Sequence, residues 1–205
     1  QRPSTAAEPS MAKRRNTAKS EAAGAVGQVD TRYLQTLMGY NARRAALSII
    51  ELFLERYPEF HEKVTLVMLV VPSRDAVEKY KELKEEVDEL VGRINGKYSH
   101  MNWNPIQYFY RSYPLETLSA FYRMADVALV TPMRDGMNLV CKEYVASKLD
   151  QKGVLILSEM AGASKELSEA LLINPNDINQ MVDTLHTALT MPEEMQQQHM
   201  KHMQE

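Results

Sequence analysis

The stretch DVALVTPMRDGMNLVCKEYVA, residues 126–146, decides the fold class of this chain. It opens with a short apolar run, Val127 to Val130, which is typical of a buried strand. A tight polar loop follows, and from Leu139 to Lys148 the sequence continues at helical spacing without Gly or Pro. Asp-Gly is a common hairpin dipeptide, but the helical spacing after it argues against a hairpin. The stretch therefore predicts a strand, a loop and a helix in succession.

The same alternation of strands and helices continues on both sides of this stretch. Val64 to Val71 is almost wholly apolar, as in a strand buried on both faces of a parallel sheet. Further strands are predicted at Ile106 to Tyr110, Val154 to Leu157 and Leu171 to Ile173, with amphipathic helices between them. Repeated βα units predict an α/β class: a Rossmann-like parallel sheet with helices on both faces.

The loop that contains Asp135 is a candidate binding site. Ligands of such sheets bind at the carboxyl ends of the strands, and this loop follows a strand directly. A helix start directs unpaired N–H groups at an anion, and the side chain of Glu143 leans back toward that start. The two carboxylates would then flank a phosphorylated sugar or a nucleotide. The residues alone leave a second interpretation open, a structural βα turn in which Asp-Gly is unremarkable.

Composition limits the other classes of function. The chain has 205 residues, of which 44% are hydrophobic and 25% are charged, as in an ordinary globular domain. No apolar run approaches the roughly 18 residues of a transmembrane helix, so we expect no membrane partner. The single cysteine, Cys141, fits a cytoplasmic protein and a buried packing role.

Residues 1–45 differ from the rest of the chain. They contain eight Lys or Arg against three Asp or Glu, a formal charge of +5, whereas residues 46–205 carry −8. Up to about Val29 they have almost no large apolar residues and are predicted to be disordered. Apolar residues at helical spacing from Tyr33 to Tyr57 predict a helix that begins at about residue 31. We interpret residues 1–45 as a disordered or foreign basic segment, and we expect no nucleic-acid partner.

Four blocks of the sequence resemble the trehalose-6-phosphate synthase family of retaining glucosyltransferases. They are VVPSRDAVEKYKELKEEVDELVGRINGKY (70–98), DVALVTPMRDG (126–136), RDGMNLVCKEYVA (134–146) and GVLILSEMAGASKELSEALLINP (153–175). The resemblance implies that residues 46–205 are the C-terminal, nucleotide-sugar-binding domain of a two-domain B-type glycosyltransferase. It also implies transfer of glucose from UDP-glucose to glucose 6-phosphate in trehalose biosynthesis, without a metal or other cofactor.

The resemblance implies a role for individual residues. The donor site would consist of Asp135, Gly136, Met137, Asn138, Leu139, Glu143, Tyr113 and Leu118. Asp135 would accept a hydrogen bond from a hydroxyl of the donor glucose, and Glu143 would accept both ribose hydroxyls. The backbone amides from Gly136 to Leu139 would hold the sugar and the diphosphate, and the last two residues would seat the uracil ring. Arg74 would bind the phosphate of glucose 6-phosphate.

The resemblance breaks before residue 46. Family members carry an Arg-x-x-x-x-Lys pair that holds the UDP diphosphate, whereas Thr36 and Asn41 stand at those positions here, with Arg43 and Arg44 nearby. The family also places a strand in this window and an entire transferase domain ahead of it. The sequence leaves open whether a partner chain supplies that domain. We therefore expect a truncated donor-binding domain with little activity alone. The alternative is a non-catalytic regulatory or interaction module derived from that domain.

Overall fold

The computed structural model of the protein describes residues 32–37, 40–72 and 78–205. Its strands are β1 (Arg32–Leu37), β2 (Val64–Val70), β3 (Ile106–Tyr110), β4 (Val127–Val130), β5 (Val154–Ser158) and β6 (Leu171–Ile173). Its α-helices are α1 (Tyr40–Arg56), α2 (Glu78–Tyr98), α3 (Leu115–Met124), α4 (Leu139–Ser147), α5 (Ile178–Thr190) and α6 (Glu193–Gln204).

The six strands form one sheet in the order β3-β2-β1-β4-β5-β6. Every neighbouring pair is parallel, so the predicted parallel α/β sheet is confirmed. The chain builds outward from β1 to one edge and then crosses to the other side with β4. In such sheets the crevice beyond the carboxyl ends of the strands, where the order reverses, is the ligand site. The loop after β4 lies at that point.

The sheet separates two apolar clusters, because successive side chains of a strand point to opposite faces. On β4, Val127 and Leu129 join the first cluster, whereas Ala128 and Val130 join the second. Helices α1, α2 and α5 cover the first face, and α3, α4 and α6 cover the second. The predicted helices on both faces are therefore confirmed. Among the helices that the structure describes, none is both long and apolar enough to cross a membrane.

The helix predicted from about residue 31 is wrong. Arg32–Leu37 is a strand whose backbone pairs with β2 on one side and β4 on the other, and α1 begins only at Tyr40. Apolar residues such as Leu34 and Leu37 suit a short strand as well as a helical stripe, so their spacing does not separate the two. Hydrogen bonding on both edges favours the strand. The sheet thus includes residues ahead of position 46, where the domain was predicted to begin.

The carboxyl end of α4 is held by a side chain from α6. The Gln204 amide donates hydrogen bonds to the Val145 and Lys148 carbonyl oxygens, both at 2.9 Å. A helix leaves its last carbonyls without partners of its own, so Gln204 caps α4 from another element. Met200, one turn earlier on α6, is fully buried against the same helix layer.

Lys148 joins the ends of α3 and α4. Its side chain is buried, and its Nζ donates hydrogen bonds at 3.0 Å to the carbonyl oxygens of Arg123 and Ala125. Burial lowers the pKa of this ammonium group, although the charges of Asp150 and Asp126 oppose that effect. A cation at the carboxyl end of α3 also complements the partial negative charge of the helix.

Candidate functional site

The loop between β4 and α4 is organised by the carboxylate of Asp135. One oxygen, Oδ1, accepts the Met137 backbone N–H at 3.1 Å, and the other, Oδ2, accepts the Asn138 side-chain amide at 3.0 Å. Each carboxylate oxygen offers a second acceptor position. Asp135 therefore shapes its own loop and retains acceptor capacity for a hydroxyl of a ligand.

Asn138 starts α4. Its Oδ1 accepts the Cys141 backbone N–H at 3.1 Å, which is the usual N-cap bond. Its backbone carbonyl accepts a hydrogen bond from the Cys141 thiol at 2.9 Å. The φ angle of Asn138 is 73°, a left-handed conformation that Asn tolerates better than most residues. The residue thus combines a turn conformation with a helix cap.

A second loop, after β5, is bound to the first. The Gly162 N–H donates to the Asp135 carbonyl at 2.9 Å, and the Ala163 N–H donates to the Met137 carbonyl at 3.0 Å. A Cβ atom on Gly162 would lie 2.0 Å from the Gly136 carbonyl oxygen, so only glycine permits this approach. The two loops form one unit at the carboxyl edge of the sheet.

The start of α4 faces solvent. Met137 and Leu139 are 51% and 61% exposed, and the first N–H groups of a helix have no partners within it. The Met137 amide was predicted to face the ligand together with its neighbours, but it donates to Asp135 instead. An Asp two residues earlier competes for the same N–H. The contact of these amides with a ligand stays a prediction.

Glu143 is half-buried on α4 and bound to a residue of α3. Its Oε2 accepts a hydrogen bond from the Tyr122 hydroxyl at 2.8 Å. Tyr122 is only 2% exposed. Burial, together with the bond to Glu143, raises the pKa of the Tyr122 hydroxyl far above its usual range, so it remains a donor at neutral pH. Tyr122 was not predicted from the sequence, although its spacing of four residues from Leu118 places both on one face of α3.

Tyr113 and Leu118 flank the turn into α3. The Tyr113 hydroxyl accepts the Arg111 Nε–H at 2.6 Å, and the Arg111 guanidinium lies 4.8 Å from the centre of the Tyr113 ring. The Tyr113 ring also makes an edge contact with the Phe121 ring, with ring centres 5.4 Å apart. Leu118 is partly buried and packs against the second apolar cluster. Leu118 therefore lies on the same side of the sheet as α4.

Arg43 and Arg44, the cations close to Thr36 and Asn41 in the sequence, interact with other side chains of the domain. Arg44 Nε lies 3.1 Å from Glu86 Oε1 on α2. Burial lowers the pKa of Arg43, and the nearby phenols of Tyr108 and Tyr110 oppose that effect. Arg74, predicted to bind the acceptor phosphate, lies outside the described residues.

A model of glycosyltransferase family 20 matches residues 9–205 of the chain. The chain belongs to glycosyltransferase family 20. The family 20 match includes most of the segment that sequence analysis treats as disordered or foreign. It confirms the resemblance that the four sequence blocks carry.

Relatives of this family 20 chain are known from sequence and from structure. The bifunctional trehalose-6-phosphate synthase/phosphatase of Thermoproteus tenax is 55% identical over 155 residues, which cover 76% of this chain and 21% of that protein. The glucosylglycerol-phosphate synthase of Pseudomonas anguilliseptica is 50% identical over 148 residues, covering 71% and 20%.

Among solved structures, the E. coli trehalose-6-phosphate protein bound with UDP-2-fluoro glucose matches with a TM-score of 0.81 at 35% identity, covering 85% of this chain and 40% of that chain. The fold is thus that of one part of the trehalose-6-phosphate synthases. This family 20 chain spans about a fifth of the length of the two curated relatives.

Proposed function

We propose that this chain is the donor-binding domain of a trehalose-6-phosphate synthase and that it binds UDP-glucose. The observation that carries the proposal is the β4–α4 loop. Asp135 and Asn138 fix that loop through bonds of 3.0 and 3.1 Å, and the helix start beyond them faces solvent. A preorganised group of N–H donors at a helix start suits a diphosphate.

The roles of the site residues follow from their positions. The start of α4 holds the diphosphate, and the carboxylate of Glu143 accepts the ribose hydroxyls. Asp135 accepts a hydroxyl of the glucose through its remaining acceptor positions. Tyr113 and Leu118 form the apolar wall against which the uracil ring packs. When the bond between the glucose and the diphosphate breaks, negative charge grows on the diphosphate, and the helix start stabilises it. The proposal assigns this task to protein groups and needs no metal ion.

The acceptor side of the reaction is part of the same proposal. Glucose 6-phosphate would accept the glucose, and Arg74 would bind its phosphate group. The other domain of the family's two-domain enzymes would form the opposite wall of the cleft. The reaction would take place in the cytoplasm. The two curated relatives differ in their named product, trehalose 6-phosphate or glucosylglycerol phosphate. Residues beyond the donor loop must therefore select the acceptor.

The alternative is a non-catalytic regulatory or interaction module that keeps the donor pocket. Thr36 and Asn41 favour it, because they replace two cations that the family uses on the diphosphate. Arg44 is not a direct replacement for either of these two cations, since its side chain forms an ion pair with Glu86. Without those cations, part of the transition-state stabilisation is lost.

Calorimetry with the 205-residue chain tests the donor site. Millimolar UDP should bind, and Glu143→Ala should remove most of that binding. Glu194 is an exposed carboxylate in the first turn of α6, and Glu194→Ala is the control, which should bind UDP as the wild type does. A folded wild-type sample that fails to bind UDP, or a Glu143→Ala variant that binds equally well, would refute the site.

Two further assays refine the proposal. Asp135→Asn should weaken the binding of UDP-glucose more than the binding of UDP, because only UDP-glucose carries the hexose that Asp135 would contact. Release of UDP from UDP-glucose in the presence of glucose 6-phosphate separates the enzyme from the regulatory module. Turnover excludes the module, and donor binding without turnover supports it.

A further inference from the structure

We propose that Tyr122 is a positioning residue that holds the Glu143 carboxylate for the ribose and thereby makes the site select ribonucleotides over 2′-deoxyribonucleotides. The inference rests on the proposed function, because it concerns how the same pocket reads its ligand. Tyr122 itself does not contact the proposed ligand. It acts only through Glu143.

The geometry fixes one oxygen of the carboxylate and, among the described residues, leaves acceptor positions for a ligand. Tyr122 donates to Glu143 Oε2 at 2.8 Å, which leaves Oε1 and the second acceptor position of Oε2 for two ribose hydroxyls. A glutamate side chain has several rotamers of similar energy, and ordering one of them on binding costs affinity. The bond to Tyr122 selects one orientation before the ligand arrives.

The Tyr122 side chain, which donates this hydrogen bond, is held in place by its packing. Tyr122 is 2% exposed and packs in the second apolar cluster with Cys141 and Tyr144 of α4. The Ser119 and Ser147 hydroxyl oxygens, at 3.4 Å, join α3 and α4 nearby. The tyrosine hydroxyl is therefore a fixed point on a rigid pair of helices, whereas Glu143 remains half-exposed at the site.

One face of α3 would thus affect two parts of a nucleotide, the base through Leu118 and the ribose indirectly through the bond from Tyr122 to Glu143. Leu118 is part of the proposed wall for the uracil ring, and Tyr122, one turn later, orients the Glu143 carboxylate that accepts the ribose hydroxyls. This arrangement fixes the base position relative to the ribose position through a single helix. Discrimination between a 2′-hydroxyl and a 2′-hydrogen depends on that fixed relationship. A carboxylate that could rotate would accept hydrogen bonds from the 3′-hydroxyl or from water instead.

The test compares UDP with 2′-deoxy-UDP by calorimetry in the wild type, Tyr122→Phe and Tyr144→Phe. The wild type should bind UDP about tenfold more tightly than 2′-deoxy-UDP, as expected for one hydrogen bond to a charged group. Tyr122→Phe should reduce that ratio to about two- or threefold, mainly by weakening UDP. Tyr144→Phe removes a buried hydroxyl from the neighbouring residue of α4 and should leave the ratio unchanged.

The outcomes separate the inference from the proposed function. A wild-type chain that binds no UDP refutes both. A wild type that discriminates, together with a folded Tyr122→Phe variant that discriminates equally, overturns the role of Tyr122 alone. If Tyr122→Phe does not fold, NMR of the wild type decides. The Tyr122 13Cζ resonance should shift more with UDP than with 2′-deoxy-UDP, and equal shifts contradict the inference.

Discussion

Asn138 Oδ1 accepts the Cys141 N–H at 3.1 Å while Asn138 itself adopts a φ of 73°. A replacement residue therefore has two separate requirements to meet: an acceptor side chain for the cap bond and tolerance of a positive φ. Alanine loses the cap and is strained at positive φ, whereas glycine loses the cap but adopts this φ freely. The residue therefore allows cap and conformation to be separated by mutation.

We expect Asn138→Ala to lower the free energy of unfolding by about 2 kcal/mol, the sum of a lost cap and a strained backbone. Asn138→Gly should cost well under half of that, because glycine adopts this φ without strain and loss of the side-chain cap bond costs far less with glycine than with alanine. Urea denaturation of the two variants beside the wild type measures the difference. Equal losses would mean that the conformation contributes nothing.

Gly162→Ala should disrupt the unit formed by the two loops. The new Cβ would meet the Gly136 carbonyl oxygen at 2.0 Å, and backbone cannot yield as a flexible side chain does. We expect a loss of about 1–3 kcal/mol in the free energy of unfolding and weaker UDP binding. Gly92→Ala is the matched control, because a Cβ there meets nothing within 4 Å and alanine favours the helix. A Gly162→Ala variant as stable as the wild type would show that the loops separate readily.

Lys148→Met should destabilise the chain by about 2 kcal/mol at neutral pH. The Arg123 carbonyl loses the Lys148 donor, and the Ala125 carbonyl keeps only the 3.3 Å bond from the Tyr144 hydroxyl. The pH dependence is a second signature. Since the folded-state pKa of Lys148 lies below its ordinary 10.5, the folded chain releases this proton before the unfolded chain does. Wild-type stability should therefore rise, relative to Lys148→Met, as pH increases through the lowered pKa toward 10.5. Denaturation curves at several pH values check this, and a constant difference would contradict it.

Cys141 should be a reporter of unfolding. Its side chain is fully buried, and burial raises the pKa of its thiol to about 11, so little thiolate forms near pH 8. Iodoacetamide should label the native chain at least tenfold more slowly than the urea-unfolded chain. The raised pKa also means that this group's contribution to stability declines as pH rises from about 9 to about 11, because only the unfolded chain loses the proton. Rapid labelling of the folded chain would contradict both statements.

The strands and helices after residue 64 were predictable, because each has its own apolar pattern and clear ends. Five of the six strands and the start of α4 at Leu139 follow from that pattern. β1 could not be predicted in this way. Its six residues carry too short a pattern to exclude a helix, and its conformation depends on β2 and β4, which are distant in sequence.

The candidate site was predictable only in part, for a related reason. Asp135, Asn138 and Glu143 follow from a strand, a loop and a helix that are contiguous in sequence. The bond from Tyr122 to Glu143 crosses 21 positions, and the contact of Gly162 with Asp135 joins loops after two different strands. Such contacts depend on how helices and loops pack, and local spacing carries no information about that.

The side-chain bonds from Gln204 to Val145 and Lys148 make α4 sensitive to the last residues of α6. Cleavage that removes Gln204 would free the last turn of α4, the helix whose first turn is the proposed nucleotide site. If that proposal holds, cleavage in α6 would weaken ligand affinity without removing any residue of the site.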